Sequence, residues 1–407
     1  MPVDAATPQT PAARPGYSWT TRRELTRRGV LWLGQTCNLR CHFCYFQNRI
    51  RSAEHPDHPF MRIEKAKAIC STLRGHYGNS ALDIQGGEPT IYPKINALVT
   101  HCREIGLLPT LITNAIVLDK RERCRELMDA GLRDLLVSVH GLREEYDRAV
   151  GLPGGSARQM KALDNLVALS IPFRFNCVLA KSVLGHLEEI ARLAVSTRAR
   201  VVNFIAFNPF EDQQKGTRSG EDVPRYGEVR GPLVAALDYL EQHGVEANVR
   251  YLPLCQAPER HRKSFYNFQQ LPYDLHEWDY ASWSWTGRNP QRRREGDLEA
   301  PVSLKWANSR SKLFGHEGYL EDASAGLADL YRHSALIRAR EHCGYGYAPA
   351  CAACGLQGIC DGFHGDYVSL HGADEAQTQN VPPVDDPKFY IAAQAKIVED
   401  EDAAWAS

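Results

Sequence analysis

Short β-branched or aliphatic runs alternate with amphipathic stretches along the first part of the chain. The runs predict strands at Val30–Gly34, Ala81–Gln85, Pro109–Thr113, Asp134–Val139, Phe173–Leu179, Val201–Phe207 and Val245–Leu252. The stretches between them predict helices at Ile63–Leu73, Ile95–Ile105, Lys120–Ala130, Arg158–Leu169 and Leu187–Ala194. Alternating strands and helices form a parallel sheet. Six such units predict an incomplete barrel, with its chemistry at the carboxyl ends of the strands.

Composition limits the classes of protein that fit this pattern. The chain has 407 residues, 43% of them hydrophobic and 24% charged, which suits a large barrel with a smaller appendage. Its net charge of -1 gives no electrostatic reason to expect nucleic acid or an anionic membrane as a partner. No apolar run approaches the length of a membrane span, and the N-terminus lacks a signal sequence. We therefore expect a soluble, cytoplasmic protein.

The chain contains 12 cysteines, and two tight groups of them stand out. The first group is Cys37, Cys41 and Cys44, a C-x3-C-x2-C triplet with Phe43 before its last cysteine. Three thiolates on one loop can hold a single iron–sulfur cluster. If that cluster has four irons, one of them is left open to a substrate or cofactor. A zinc knuckle is the alternative, but zinc prefers four ligands, and no fourth follows at finger spacing.

This triplet resembles the cluster loop of the radical S-adenosylmethionine (SAM) enzymes. The resemblance implies a four-iron, four-sulfur cluster whose open iron is chelated by SAM. In that family, one electron cleaves SAM to a 5'-deoxyadenosyl radical, which removes a hydrogen atom from the substrate. An external one-electron donor such as flavodoxin or ferredoxin is implied as a partner. The fold class predicted is therefore α/β, a partial (β/α)6 TIM-like barrel with a smaller C-terminal cysteine-rich, cluster-binding domain.

Several residues at strand ends match further family motifs. Gly86, Gly87 and Glu88 follow the second strand, where two glycines allow close backbone approach and the carboxylate can bind the SAM ammonium. Without that context the same residues would form an ordinary turn. The remaining candidates for SAM contacts lie at the ends of later strands or beside the cysteines: Thr113, Asn114, Ser138, His140, Asn176, Phe207 and Phe43.

A second group of cysteines lies near the C-terminus. Cys343, Cys351, Cys354 and Cys360 include a C-x2-C-x5-C run, which resembles the extensions called SPASM or twitch domains. The full SPASM pattern continues with a further cysteine, which is missing here, so the resemblance implies one auxiliary iron–sulfur cluster, of the four-iron type. A structural zinc site is the alternative. Cys255 ends the last barrel strand and is either a hydrogen-atom donor to the substrate or a cluster ligand.

The sequence does not identify the substrate. Aromatic residues interleaved with carboxylates between Tyr273 and Trp285 weakly favour a polar, sugar-containing small molecule, which would be epimerised or dehydrogenated. A maturase that crosslinks or epimerises a ribosomal peptide is the second hypothesis, and a non-enzymatic metal scaffold is the third.

The predicted domains are an N-terminal tail, partly disordered, at 1–29; the barrel at 30–255; an aromatic-rich connecting or substrate region at 256–342; the auxiliary cluster segment at 343–371; and a C-terminal extension at 372–407.

Overall fold

A computed structural model describes residues 17–23, 25–44, 57–75, 77–207, 222–277, 312–313 and 327–399. The strands are β1 (Tyr17–Thr20), β2 (Arg28–Trp32), β3 (Ala81–Gln85), β4 (Leu108–Thr113), β5 (Asp134–Ser138), β6 (Phe173–Leu179), β7 (Val201–Ala206), β8 (Glu246–Arg250), β9 (Phe265–Tyr266) and β10 (Lys396–Glu399). The helices are α1 (Ile63–Gly75), α2 (Ile95–Glu104), α3 (Arg121–Asp129), α4 (Arg143–Val150), α5 (Gly155–Ala168), α6 (Lys181–Leu184), α7 (Leu187–Ser196), α8 (Tyr226–Gln242), α9 (Leu327–Ile337) and α10 (Gly365–His371).

Eight strands form one sheet in the sequential order β2 to β9, and every neighbouring pair is parallel. Helices fill the crossovers, as a parallel sheet requires. The predicted α/β partial barrel is thus confirmed, and all seven predicted strands are present with ends shifted by at most two residues. The short strand β9 was not predicted, because two residues carry no periodicity.

The predicted N-terminal tail, at 1–29 and partly disordered, contains one strand among its described residues. Residues 17–20 form β1, which pairs antiparallel with β10 in a separate two-stranded sheet. The Pro- and Ala-rich composition that suggested disorder belongs to residues before position 17, which lie outside the described residues.

Charged side chains fill the amino-terminal end of the barrel. Arg28 pairs with Asp83 at 2.9 Å, and Arg174 pairs with Asp134 at 3.0 Å. These side chains are at most 2% exposed. A buried charge is tolerated only when it is paired, so each of these strands contributes one half of an ion pair. This charged layer is the barrel floor, and it lies opposite the strand ends that carry the predicted site.

On β8 the floor continues through a residue from the C-terminal strand. Lys396 of β10 is completely buried and pairs with Glu246 at 2.7 Å and with Asp274 at 3.1 Å. Asp274 also accepts from Arg250 at 3.1 Å. The C-terminal strand therefore supplies a cation that the barrel needs. Within the described residues, no helix combines the length and hydrophobicity that a bilayer span requires.

Candidate functional site

The cysteine loop after β2 is held by the end of α4. The Arg40 N–H donates to the Val150 carbonyl at 2.8 Å, and the His42 N–H donates to the Ala149 carbonyl at 3.1 Å. Gly151 follows with φ +66°, and a Cβ there would lie 3.2 Å from the Arg40 Cβ. Glycine at that position lets the loop and the helix end approach closely. Two backbone hydrogen bonds to the end of α4 therefore hold the loop, and both are made by residues that lie between Cys37 and Cys44 in the sequence.

The Gly-Gly-Glu turn after β3 packs against the chain that leads into Cys37. The Gly87 N–H donates to the Gly34 carbonyl and the Glu88 N–H to the Thr36 carbonyl, both at 2.9 Å. A Cβ at Gly87 would lie 1.9 Å from the Thr36 oxygen. Only glycine fits here, because backbone atoms cannot move aside as a flexible side chain could. Gly87 thus allows the Gly-Gly-Glu turn to lie close to the segment that leads into Cys37.

Glu88 is 1% exposed and accepts four hydrogen bonds. Its Oε1 accepts from the Thr90 N–H at 2.9 Å, the Thr90 hydroxyl at 2.6 Å and the Thr113 hydroxyl at 2.6 Å. Its Oε2 accepts from the Asn114 N–H at 2.8 Å. Burial raises the pKa of Glu88, while these four bonds oppose the rise. Oε1 accepts three of these bonds and Oε2 accepts one, so a further donor would bind at Oε2, since each carboxylate oxygen has two lone pairs.

The two polar residues that end β4 both support the loops around them. The Thr113 hydroxyl, besides donating to Glu88, accepts from the Ala115 N–H at 2.9 Å. The Asn114 side chain donates to the Asn38 Oδ1 at 2.8 Å, which connects β4 to the cysteine loop. The structure therefore brings Thr113, Asn114 and Glu88 together around the cysteines, as the prediction requires, and gives each a structural partner.

Gln159 of α5 joins two of the strand ends and was not predicted. Its Nε2 lies 3.0 Å from the Asn114 carbonyl, 2.9 Å from the Ser138 carbonyl and 3.0 Å from the Tyr146 hydroxyl. Gln159 is completely buried. Gln159 lies on the same helix face as the buried Ala162, Leu163 and Leu166, which was the available signal, since a buried polar group is normally hydrogen-bonded.

Phe43, His140 and Phe207 form one aromatic group beside the cysteines. Ring centroids lie 4.4 Å apart for Phe43 and His140 and 6.4 Å apart for Phe43 and Phe207. The His140 Nδ1 accepts from the Val178 N–H at 3.2 Å, which leaves the proton on Nε2. Burial, with a smaller effect of His42, lowers the pKa of His140 to about 3. This imidazole is therefore neutral at physiological pH.

Ser138 and Asn176 are paired neighbours on β5 and β6, and both are partly exposed; Ser138 ends β5, and Asn176 lies in the middle of β6. The Asn176 Oδ1 is buried and has no hydrogen-bond partner among the described residues. An unsatisfied buried acceptor beside the predicted cofactor site fits a hydroxyl of a bound nucleoside.

Four cysteines line a pocket in the C-terminal half: Cys255, Cys351, Cys354 and Cys360. The Gly362 N–H donates to the Cys360 Sγ at 3.4 Å. The Gln256 side chain donates to the Cys255 Sγ at 3.7 Å. Donors aimed at sulfur are the kind of outer contact that orients thiolate ligands. The pocket thus brings together four cysteines that could hold a metal cluster, one of which, Cys255, follows β8.

Cys343 is not among the residues that line this pocket. It packs instead against the buried cluster that contains Phe268 and Tyr345, and its carbonyl accepts from the Gly365 N–H at 3.0 Å. The sequence-based set placed Cys343 with the C-terminal cysteines and left Cys255 either as a hydrogen-atom donor or as a cluster ligand. In the structure Cys255 lines the pocket with Cys351, Cys354 and Cys360. Sequence proximity favoured Cys343, whereas Cys255 comes from the barrel.

All 12 cysteines are free thiols, so both sets are available to bind a metal. In the described part of the chain, Asp238, Glu241 and His261 form a separate group of three candidate metal ligands.

The carboxylates that suggested a sugar substrate are buried in ion pairs inside the protein. Asp274 pairs with Lys396 and Arg250, and Glu277 also pairs with Arg250. Tyr273 is buried as well. The remaining aromatic residues of that segment, from Trp278 to Trp285, lie outside the described residues. The described carboxylates therefore balance charge inside the protein, because each is needed to pair a buried cation.

Residues 33–194, which contain the cysteine loop and the strand ends around it, match the family model of the radical SAM superfamily. These residues form a radical SAM domain. Members of this superfamily bind a four-iron, four-sulfur cluster and SAM. The predicted family is confirmed, and Cys37, Cys41 and Cys44 would hold that cluster.

Curated relatives in the radical SAM superfamily match part of the chain. A PqqA peptide cyclase of Rhodopseudomonas palustris is 31% identical over 173 residues, which is 42% of this chain and 44% of the relative. An Fe-coproporphyrin III synthase of Methanosarcina barkeri is 31% identical over 137 residues, 33% of each chain. The chain thus spans less than half the length of these two relatives. A crystal structure of Streptococcus suis SuiB aligns over 88% of this chain and 78% of its own, with 16% identity and a TM-score of 0.49.

Proposed function

We propose that this radical SAM protein is a maturase that acts on a peptide. The observation that carries the proposal is the similarity of the barrel to PqqA peptide cyclases of several bacteria, at 28–31% identity. The carbohydrate hypothesis rested mainly on the segment whose described carboxylates are paired inside the protein. The peptide hypothesis therefore replaces it as the lead.

The bound cluster and SAM would supply a 5'-deoxyadenosyl radical. The residues of this chain would bind the cluster and SAM and orient them. Cys37, Cys41 and Cys44 hold the cluster, and the Glu88 Oε2 accepts from the SAM ammonium. Asn176 offers its Oδ1 to a ribose hydroxyl. Thr113, Asn114, Ser138 and His140 line or support the same strand ends, and Phe43 and Phe207 offer an apolar face to the adenine.

The test combines reconstituted, reduced enzyme and SAM with synthetic peptides encoded by the short reading frames that flank its gene. A crosslinked peptide would be lighter by two hydrogens: one leaves with the deoxyadenosyl group, and the other leaves as a proton and an electron to an iron–sulfur acceptor. The triple variant Cys37→Ala, Cys41→Ala, Cys44→Ala should form neither 5'-deoxyadenosine nor product. Unmodified peptides, with 5'-deoxyadenosine formation driven instead by a nucleoside diphosphate sugar, would reject the peptide hypothesis.

We further propose that Cys255, Cys351, Cys354 and Cys360 hold the auxiliary cluster. Their shared pocket and the N–H groups aimed at their sulfurs support this set. Cys343 then has no ligand role. A Cys255 that ligates iron cannot also donate a hydrogen atom, so the substrate radical must be quenched by another route.

Iron analysis decides between the two ligand sets. Protein with two four-iron clusters should hold about eight irons per chain. Cys255→Ala should reduce this number to about four, whereas Cys343→Ala, the matched control, should leave it near eight. The reverse result would restore the set that contains Cys343. Full iron content in Cys255→Ala, with loss of an inverted product, would instead support the role of Cys255 as a hydrogen donor.

A further inference from the structure

Asn267 directly follows β9, at the carboxyl end of the last strand in the order of the barrel sheet. It is 1% exposed, and neither its Oδ1 nor its Nδ2 has a hydrogen-bond partner within the described residues. Its backbone groups are both bonded, since its N–H donates to the Gln270 Oε1 at 3.0 Å and its carbonyl accepts from the Leu271 N–H at 2.9 Å. Buried polar groups are normally paired, so this amide is available to a bound molecule.

Three aromatic residues form one group next to Asn267 in the chain. The Phe268 ring centroid lies 5.2 Å from that of Tyr251 and 5.7 Å from that of Tyr345. The Tyr345 hydroxyl is buried and also lacks a partner in the part of the chain that the structure describes. Tyr251 follows β8 with φ +69°, a backbone conformation that costs a bulky residue about 1–3 kcal/mol. Unpaired polar atoms and a strained backbone are thus found together after β8 and β9.

This group lies at the same end of the barrel as the predicted SAM site. All neighbouring strands from β2 to β9 are parallel, so the residues that follow β8 and β9 share an edge with the cysteine loop after β2 and with Glu88 after β3. In barrels of this kind the chemistry occurs at the carboxyl ends of the strands. A molecule bound by Asn267 would therefore lie at the end of the barrel where the radical forms.

The amide of Asn267 limits the chemistry of that molecule. An asparagine side chain presents one acceptor and one NH2 donor group side by side and has no charge. The main chain of a peptide presents the complementary pair, an N–H that donates and a carbonyl that accepts. A phosphate or carboxylate group would accept from Nδ2 but has no hydrogen for Oδ1. The amide therefore fits peptide main chain better than an anion.

We propose that Asn267, together with the Tyr345 hydroxyl, binds the main chain of the peptide substrate. This inference rests on the proposed function as a peptide maturase. The Asn267 Nδ2 donates to a substrate carbonyl and Oδ1 accepts from a substrate N–H, while the Tyr345 hydroxyl bonds a neighbouring polar group of the same chain. Both residues bind and position the peptide, and neither takes part in the radical step.

The first test asks whether the amide is unpaired in the protein alone. Asn267→Leu removes both buried polar groups and keeps a similar volume, so the midpoint of anaerobic unfolding in denaturant should stay the same or rise. Asn79→Leu is the matched control: Asn79 is also 1% exposed, but its Nδ2 donates to the Arg27 carbonyl at 3.1 Å, so its midpoint should fall. A fall as large as that of the control in both Asn267→Leu and the smaller Asn267→Ala would overturn the proposal.

The second test measures the Michaelis constant for a synthetic peptide, encoded beside the gene, that the parent enzyme converts. Asn267→Leu and Tyr345→Phe should each raise this constant about tenfold, the effect of losing one hydrogen bond. Iron content, SAM affinity and kcat should stay unchanged, as expected for residues that only bind the substrate. Asn79→Leu should keep the constant of the parent enzyme.

Peptides that are N-methylated at one peptide bond at a time show whether the main chain is the partner. At one position N-methylation should raise the Michaelis constant of the parent enzyme about tenfold and leave that of Asn267→Leu unchanged. Additive effects at every position, or unchanged constants in Asn267→Leu and Tyr345→Phe, would reject this inference alone. A parent enzyme that converts no peptide would reject the proposed function, and this inference with it.

Discussion

Glu88→Ala should lower the unfolding free energy of the protein itself, apart from any effect on cofactor binding. The change leaves the buried N–H groups of Thr90 and Asn114 without an acceptor, because both now donate to the Glu88 carboxylate. An unsatisfied buried donor costs about 1–3 kcal/mol, so the two together cost about 2–6 kcal/mol. The hydroxyls of Thr90 and Thr113 can rotate and add less. A central value of about 4 kcal/mol is a large part of a typical unfolding free energy of about 5–15 kcal/mol.

Anaerobic unfolding in denaturant measures this loss through the midpoint of the transition. Glu228→Ala is the control, since Glu228 accepts from the Arg225 N–H at the exposed start of α8 and should cost about 1 kcal/mol. Glu88→Gln keeps an oxygen at the position that accepts three bonds and places an NH2 group at the Oε2 position, so it should lose less stability than Glu88→Ala and allow SAM binding to be measured. Its SAM affinity should fall about tenfold, because the NH2 group that replaces Oε2 cannot accept from the ammonium. An unfolding midpoint in Glu88→Ala equal to that of the parent protein would refute the reasoning.

Two further changes test the loop packing and the barrel floor. Gly87→Ala should displace the segment before Cys37, since its Cβ would lie 1.9 Å from the Thr36 oxygen, and analysis of bound iron should show a loss of about half. Gly231→Ala is the control, because open space surrounds Gly231, and it should keep its full iron content. Lys396→Met removes the partner of two buried carboxylates and should lower the unfolding free energy by about 3–5 kcal/mol, measured by denaturant titration. Lys65→Met breaks an exposed pair and should lower it by less than about 1 kcal/mol. Equal losses in the two lysine variants would contradict the role given to the floor.

The sequence was sufficient to predict the family, the parallel barrel and the cofactors, because each depends on local patterns. Period-two runs place β3 and β6 at the residues observed, and the Cys37 triplet is contiguous. Contacts between distant residues could not be predicted in the same way. Cys255 and Cys351 are distant in sequence and come together only in the folded chain. Gln159 donates to the carbonyls at two strand ends from a helix whose sequence shows an ordinary amphipathic pattern. The paired carboxylates Asp274 and Glu277 were misinterpreted because nothing near them in sequence shows the cations they meet.

The pairing of β1 with β10 has a consequence for synthesis on the ribosome. Arg23 reaches the Gln394 carbonyl across 371 residues of chain, and Lys396 reaches Glu246 and Asp274. Domains tend to fold from the N-terminus as they emerge, but this barrel carries carboxylates whose counter-ion is translated after the C-terminal cysteines. A nascent barrel therefore stays incompletely neutralised until β10 has been made.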